Sequence, residues 1–174
     1  MKEITKEFFE RPADVVAKDL LGKILIRRVN GNVFRARIVE TEAYFGERDP
    51  ASRASKGKTK ISEMMWEKPG KILVYNVHMY KMFNFVTGQE EVASAVLIRA
   101  LEPLNFSERT LTHKPAREMN KKQDSLPRIC SGPGLLTRAL GINKEDFHGK
   151  DLFEIDEIGL EGNEEKDFEI QPSY

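Results

Sequence analysis

The sequence predicts an α+β fold: a single mixed domain with a curved, antiparallel-rich sheet and a few short helices. Three observations carry that prediction. The chain has 174 residues, the size of one domain whose core can stand without disulfides or metals. Its 40% apolar and 32% charged residues are an ordinary globular balance. Segments of strand-like alternation, separated by turn signals, outnumber the helical ones.

The first element is helical. Ala13, Val16, Ala17, Leu20 and Leu21 share one helix face after Pro12, which suits a first turn, and Gly22 suits the stop. Lys23–Val29 alternates as a strand, and Asn30-Gly31 is a strong hairpin signal, so the returning strand falls at about Val33–Tyr44. Lys71–Val77 is a further strand after the Lys68-Pro69-Gly70 turn. A short apolar piece with Met82, Phe83, Phe85 and Val86 follows, closed by Thr87-Gly88-Gln89. Val92–Leu101 is nearly continuously apolar, as a central strand buried on both faces would be. Residues 103–125 are polar and basic with helical patches. Ser131-Gly132-Pro133-Gly134 leads into a helix carrying Leu135, Leu136, Ala139 and Leu140 and ending at Gly141. A last strand is expected at Leu152–Ile155, inside an acidic tail.

Composition narrows the chemistry. No stretch approaches the ~18 continuous apolar residues of a membrane span, and the N-terminus carries acids, lacks an apolar h-region and shows no secretory signal. The single cysteine, Cys130, allows no internal disulfide and no cysteine-cluster zinc site. His78, His113 and His148 are scattered, so no metal is expected, and the default location is reducing and cytoplasmic. The net charge of zero hides an asymmetry: residues 151–174 hold nine acids and one base, net −8, and residues 1–150 are net +8. A basic body with an acidic end suits a polyanionic partner.

Four stretches could carry chemistry, and each also has a plain structural reading. Glu40, Glu42 and Tyr44 lie two apart on a strand and so share a face, opposite Val39, Thr41 and Ala43. They form either a solvated strand face or an acid–base site beside an aromatic ring. Arg99 sits inside the apolar run Val96–Leu101 and needs a partner, for which Glu42 or Glu40 would serve. That pair is structural or catalytic. Arg53, Lys56, Lys58 and Lys60 form a basic run that either tracks phosphates or is a surface loop. Tyr75–Lys81 gathers aromatic and polar residues between two strands, as packing or as a hairpin that enters a groove.

Asp19-Leu20-Leu21-Gly22-Lys23, Arg37-Ile38-Val39-Glu40-Thr41-Glu42-Ala43-Tyr44, Leu97-Ile98-Arg99-Ala100-Leu101-Glu102-Pro103, Cys130-Ser131-Gly132-Pro133-Gly134-Leu135-Leu136 and Ala139-Leu140-Gly141-Ile142-Asn143 resemble motifs of the alkyladenine (3-methyladenine) DNA glycosylase family, in order, from Pro12 to Asn143. The resemblance implies a monofunctional repair enzyme, working without metal or organic cofactor, that acts on double-stranded DNA containing damaged purines. It implies a protruding hairpin, a monomer, and a cytoplasmic or nucleoid-associated location. The reaction would be hydrolysis of the N-glycosidic bond of alkylated purines, 3-methyladenine and hypoxanthine among the candidates, after the nucleotide is flipped out at a cost of a few kcal/mol.

The family pattern makes Glu42 the general base for a water attacking C1′, with Arg99 holding carboxylate and water. It makes Tyr44 and Tyr75 the stacking aromatics, Asn84 the residue that senses exocyclic groups of the purine, and Ala51 part of the pocket wall. Lys56, Lys58 and Lys60 would follow phosphates. Three departures stand out. Arg53 occupies the place of the family's usual His, a permanent cation for a switchable imidazole. The hairpin Val77-His78-Met79-Tyr80 is one residue short, leaving His78 or Met79 as the wedge and Tyr80 beside it. The family's Arg-Ile-Gly strand, which follows the position of Tyr174, is missing, so a more open pocket is expected. The other readings that the residues permit are a DNA-binding protein of the same fold with lost or weak catalysis, and a metal-dependent nuclease using Glu40 and Glu42.

Overall fold

Asn30 and Gly31 both take positive φ, 50° and 75°, the left-handed pair that lets a two-residue turn match the twist of its strands. They join β1 (Ile24–Val29) to β2 (Asn32–Phe45), with Val29 opposite Asn32. The computed structural model describes residues 4–106, 129–162 and 169–172. The remaining strands are β3 (Ile72–Val77), β4 (Tyr80–Val86), β5 (Ser94–Pro103) and β6 (Ile158–Glu161). They form one open, antiparallel, six-stranded sheet in the order β3-β4-β5-β2-β1-β6. The helices are short: α1 (Lys6–Phe9), α2 (Ala13–Leu20), α3 (Pro133–Ala139) and α4 (Lys144–Phe147), with 3₁₀ turns at Arg53–Lys56 and Glu63–Trp66. None of the described helices is long and apolar enough to cross a membrane.

One sheet face carries the main core. Leu25, Ile38, Val74, Phe83, Phe85, Val96 and Ile98 meet Val16 and Leu20 of α2, Leu136 of α3 and Phe147 of α4. Each such side chain contributes roughly 1.5–3 kcal/mol by leaving water. The helical spacing read at Ala13–Leu20 thus reports the buried face of α2. The opposite face is covered at the β3-β4-β5 end by a smaller cluster. There Ala54 and Met65, from the two 3₁₀ turns, pack on Leu73, Tyr75, Val86 and Ala95. This cluster fixes the wall of the site described below.

Two expected boundaries move. β5 begins at Ser94, because Val92 closes a turn by donating its N–H to the Gln89 carbonyl and stays exposed. Leu152–Ile155 is a turn and not a strand. The buried Leu152 gave the segment a strand-like look, but the backbone here caps an edge. The Gly149 and Leu152 N–H groups donate to the Ile72 and Gly70 carbonyls, and the Lys150 carbonyl accepts from the Ile72 N–H. The tail's strand is β6, further along the chain. Of the basic stretch 103–125, Pro103 closes β5, and residues 107–125 lie outside the described residues.

Candidate active site

β2 and β5 bring the acidic and basic candidates together. Arg99 Nε donates to Glu40 Oε1 at 2.9 Å and Arg99 Nη1 to Glu42 Oε2 at 2.5 Å. The two carboxylates hold the guanidinium more firmly protonated than usual, Glu42 above all. Alternation puts Glu40 and Glu42 on one face, while Thr41 turns to the other and donates its hydroxyl to the Ala17 carbonyl of α2. Val39 departs from the expectation that it faces away from Glu40 and into the sheet. It is 48% exposed. The register of β2 against β5 shifts on both sides of Glu40, which pairs with Ala100 and leaves Val39 and Arg99 outside the ladder. The same irregularity turns Val39 outward and lets Arg99 reach two carboxylates.

The ion pair borders a cavity of about 380 Å³. Its lining includes Tyr44, Ala51, Arg53, Lys56, Tyr75, Met82, Leu97, Arg99 and Pro133. Tyr44 and Tyr75 come from strands three places apart in the sheet, β2 and β3. Burial chiefly, and the nearby Glu42 carboxylate next, push the Tyr44 phenol well above its ordinary range, so its hydroxyl stays protonated. Burial also raises Tyr75, against the opposing pull of the Arg53 cation. The Arg53 guanidinium carbon lies 5.6 Å from the Tyr75 ring centroid.

The wall carrying Ala51 and Arg53 is tied down locally. Asp49 accepts from the Phe45 and Ala51 N–H groups, and Ser52 Oγ accepts from the Ala54 N–H. The basic run separates on folding. Lys56 lines the cavity, the Lys58 ammonium sits 5.9 Å from the Trp66 ring centroid, and Lys60 is exposed. Asn84 is fully buried on β4, opposite the lining residue Leu97, and is not itself part of the cavity lining. Its Nδ2 donates to the Leu73 and Met82 carbonyls at 3.2 and 3.1 Å, and its buried Oδ1 has no partner among the described residues.

The hairpin tip is His78-Met79. His78 takes φ 54°, a conformation that costs a non-glycine residue about 1–2 kcal/mol, and Met79 is 83% exposed. Tyr80 is held back against α3: a Cβ on Gly134 would lie 2.4 Å from the Tyr80 ring. Thr137 of α3 also donates to the Lys81 carbonyl. Met82, Leu97 and Pro133 belong to the lining and escaped sequence reasoning. Apolar residues carry no chemical signature, and the approach of α3 to the hairpin joins segments remote in the chain.

A family model described as methylpurine-DNA glycosylase matches residues 7–173. A protein of Clostridium botulinum (strain Hall) is 41% identical over 172 residues, spanning 96% of this chain and 83% of its own length. A protein of Chlorobium phaeobacteroides is 43% identical over 155 residues, spanning 88% of this chain and 75% of its own. Both carry the name "Putative 3-methyladenine DNA glycosylase".

Proposed function

We propose that this chain, which belongs to the methylpurine-DNA glycosylase family, is a DNA repair enzyme that hydrolyses the N-glycosidic bond of damaged purines in double-stranded DNA. Alkylated purines of the 3-methyladenine type are its substrates, with hypoxanthine. The observation that carries this reading is Glu42, which accepts from Arg99 and lies beside Tyr44 at the border of a cavity that also holds Tyr75. The cavity volume falls within the roughly 300–1,000 Å³ of small-molecule sites.

A base inside a duplex is out of reach, so the nucleotide is flipped into this cavity. Tyr44 and Tyr75 offer aromatic faces, and base–aromatic stacking is worth about 1–3 kcal/mol per base. Met79, exposed at the hairpin tip, fills the gap left in the stack, beside His78 and Tyr80. The buried Asn84 Oδ1, without a partner among the described residues, supports a role for Asn84 in sensing the purine edge. Glu42 orients a water toward C1′. As the N-glycosidic bond breaks, its electron pair leaves with the base, the water oxygen bonds to C1′, and a water proton passes to Glu42. The carboxylate's negative charge also favours the cation-like sugar of the transition state. Arg99 fixes the carboxylate without removing its free lone pairs. Free base and an intact abasic strand are the products, as a monofunctional enzyme gives.

Glu42→Gln keeps the shape and removes the base. Single-turnover release of a damaged purine is expected to fall by about 10²–10⁴, while binding to the same duplex persists because phosphate contacts dominate affinity. Release at the unsubstituted rate would reject the assignment of Glu42.

A further inference from the structure

We propose that Arg53 makes the site sort damaged purines by charge, favouring neutral 6-oxopurines such as hypoxanthine over cationic N-alkylated purines. The inference rests on the glycosylase reading above and adds a specificity-determining residue to it.

The first observation is placement. The Arg53 guanidinium lies over the Tyr75 ring, on the lining shared with Tyr44. Its backbone opens the 3₁₀ turn Arg53–Lys56, pinned by the buried Ala54 and by the Ser52 hydroxyl. An exposed side chain on a fixed turn thus presents the cation at the end of the cavity that holds Tyr75. The second observation is charge. Arg99 is neutralised by Glu40 and Glu42. Among the described residues, neither Arg53 nor Lys56 forms an ion pair with a carboxylate. The cavity is thus polarised, with an excess of positive charge where the purine stacks and carboxylates toward the sugar.

Purine chemistry turns that polarity into a preference. A purine nucleoside alkylated at a ring nitrogen carries a positive charge, which Arg53 repels. Such a base leaves as a neutral molecule and needs no help. Hypoxanthine is neutral, and when its N9–C1′ bond breaks the electron pair stays on the base, which departs as an anion. A guanidinium fork matches the O6 and N7 acceptors of a 6-oxopurine. Donation there strengthens as negative charge develops, which lowers the barrier to departure. An imidazole could give the same help only while protonated, near or below pH ~6.5. Arginine gives it at every pH the protein survives.

The test is single-turnover base release from otherwise identical duplexes carrying one hypoxanthine, one 7-methylguanine or only ordinary bases, from pH 6 to 9. Arg53→Gln is expected to lower the ratio of hypoxanthine to 7-methylguanine release by at least about tenfold. Arg53→His is expected to gain a falling limb in hypoxanthine release near pH 6.5 that the unsubstituted enzyme lacks. Arg53→Lys keeps the charge without the fork, so discrimination against 7-methylguanine should persist while hypoxanthine release slows. It also supplies the comparison if the Gln variant does not fold. Release of both lesions with an unchanged ratio and an unchanged pH profile would overturn the proposal and leave the glycosylase reading intact. Release of no base from any duplex by the unsubstituted enzyme would overturn both.

Discussion

Asn84 shows how much a single buried amide can be asked to do. Its two donors satisfy carbonyls on β3 and β4, and its buried acceptor has no partner among the described residues. An unsatisfied buried acceptor costs about 1–3 kcal/mol, a cost that folding alone does not explain. Asn84→Asp replaces both donors with a carboxylate facing two carbonyl oxygens. An uncompensated buried charge of this kind is expected to lower stability by about 3–5 kcal/mol at neutral pH. The loss should shrink in acid, where the carboxyl regains a proton. Urea unfolding at pH 7.5 and pH 5 measures both. Among the site residues, the meeting of Glu42 with Arg99 was legible in the sequence, because a cation inside an apolar strand must find a carboxylate. The outward Val39 was not, because strict alternation has no place for a local register shift. Nor was the approach of Arg53 to the Tyr75 ring, since the two residues lie in separate segments and neither carries a signal of their contact.

At the scale of elements, the edge of β3 is held by side chain as well as backbone. The Val74 N–H donates to His148 Nδ1 at 3.2 Å, which requires that nitrogen to be unprotonated. Burial, and then the neighbouring Lys144 charge, hold the His148 imidazole below its usual range. The unfolded chain takes up this proton near pH 6.5, and the folded protein resists it. Stability from this contact is therefore complete above about pH 6.5 and declines as pH falls toward the depressed folded value. Thermal melts from pH 7.5 down to pH 5 should show this decline, and His148→Gln should flatten it. Elements whose signals are local, such as the Asn30-Gly31 turn and the α2 face, were readable in advance. Leu152–Ile155 reads as a strand but is a turn, because apolar spacing reports burial and cannot say whether a backbone joins a ladder or caps one.

For the whole molecule, the basic excess of residues 1–150 over the acidic end predicts binding to DNA that weakens with salt. Lys56→Ala combined with Lys58→Ala should flatten the plot of log affinity against log salt by about 0.9 for each phosphate contact removed. Lys56 lies on the cavity lining and the Lys58 ammonium lies near the Trp66 ring, and both side chains are exposed to a polyanion approaching this face. An unchanged slope would return this loop to the ordinary protein surface.

The cap on β3 has a consequence beyond the folded chain. A sheet of this kind has two rims where backbone hydrogen-bonding groups can recruit another chain. The 148–152 segment occupies one rim, and among the described residues the other belongs to β6, only four residues long and carrying an Arg35–Glu161 ion pair at its end. Little template remains for strand addition. The sheet is thereby protected from edge-to-edge aggregation, and cutting the chain before His148 would remove that protection along with the stability of β3.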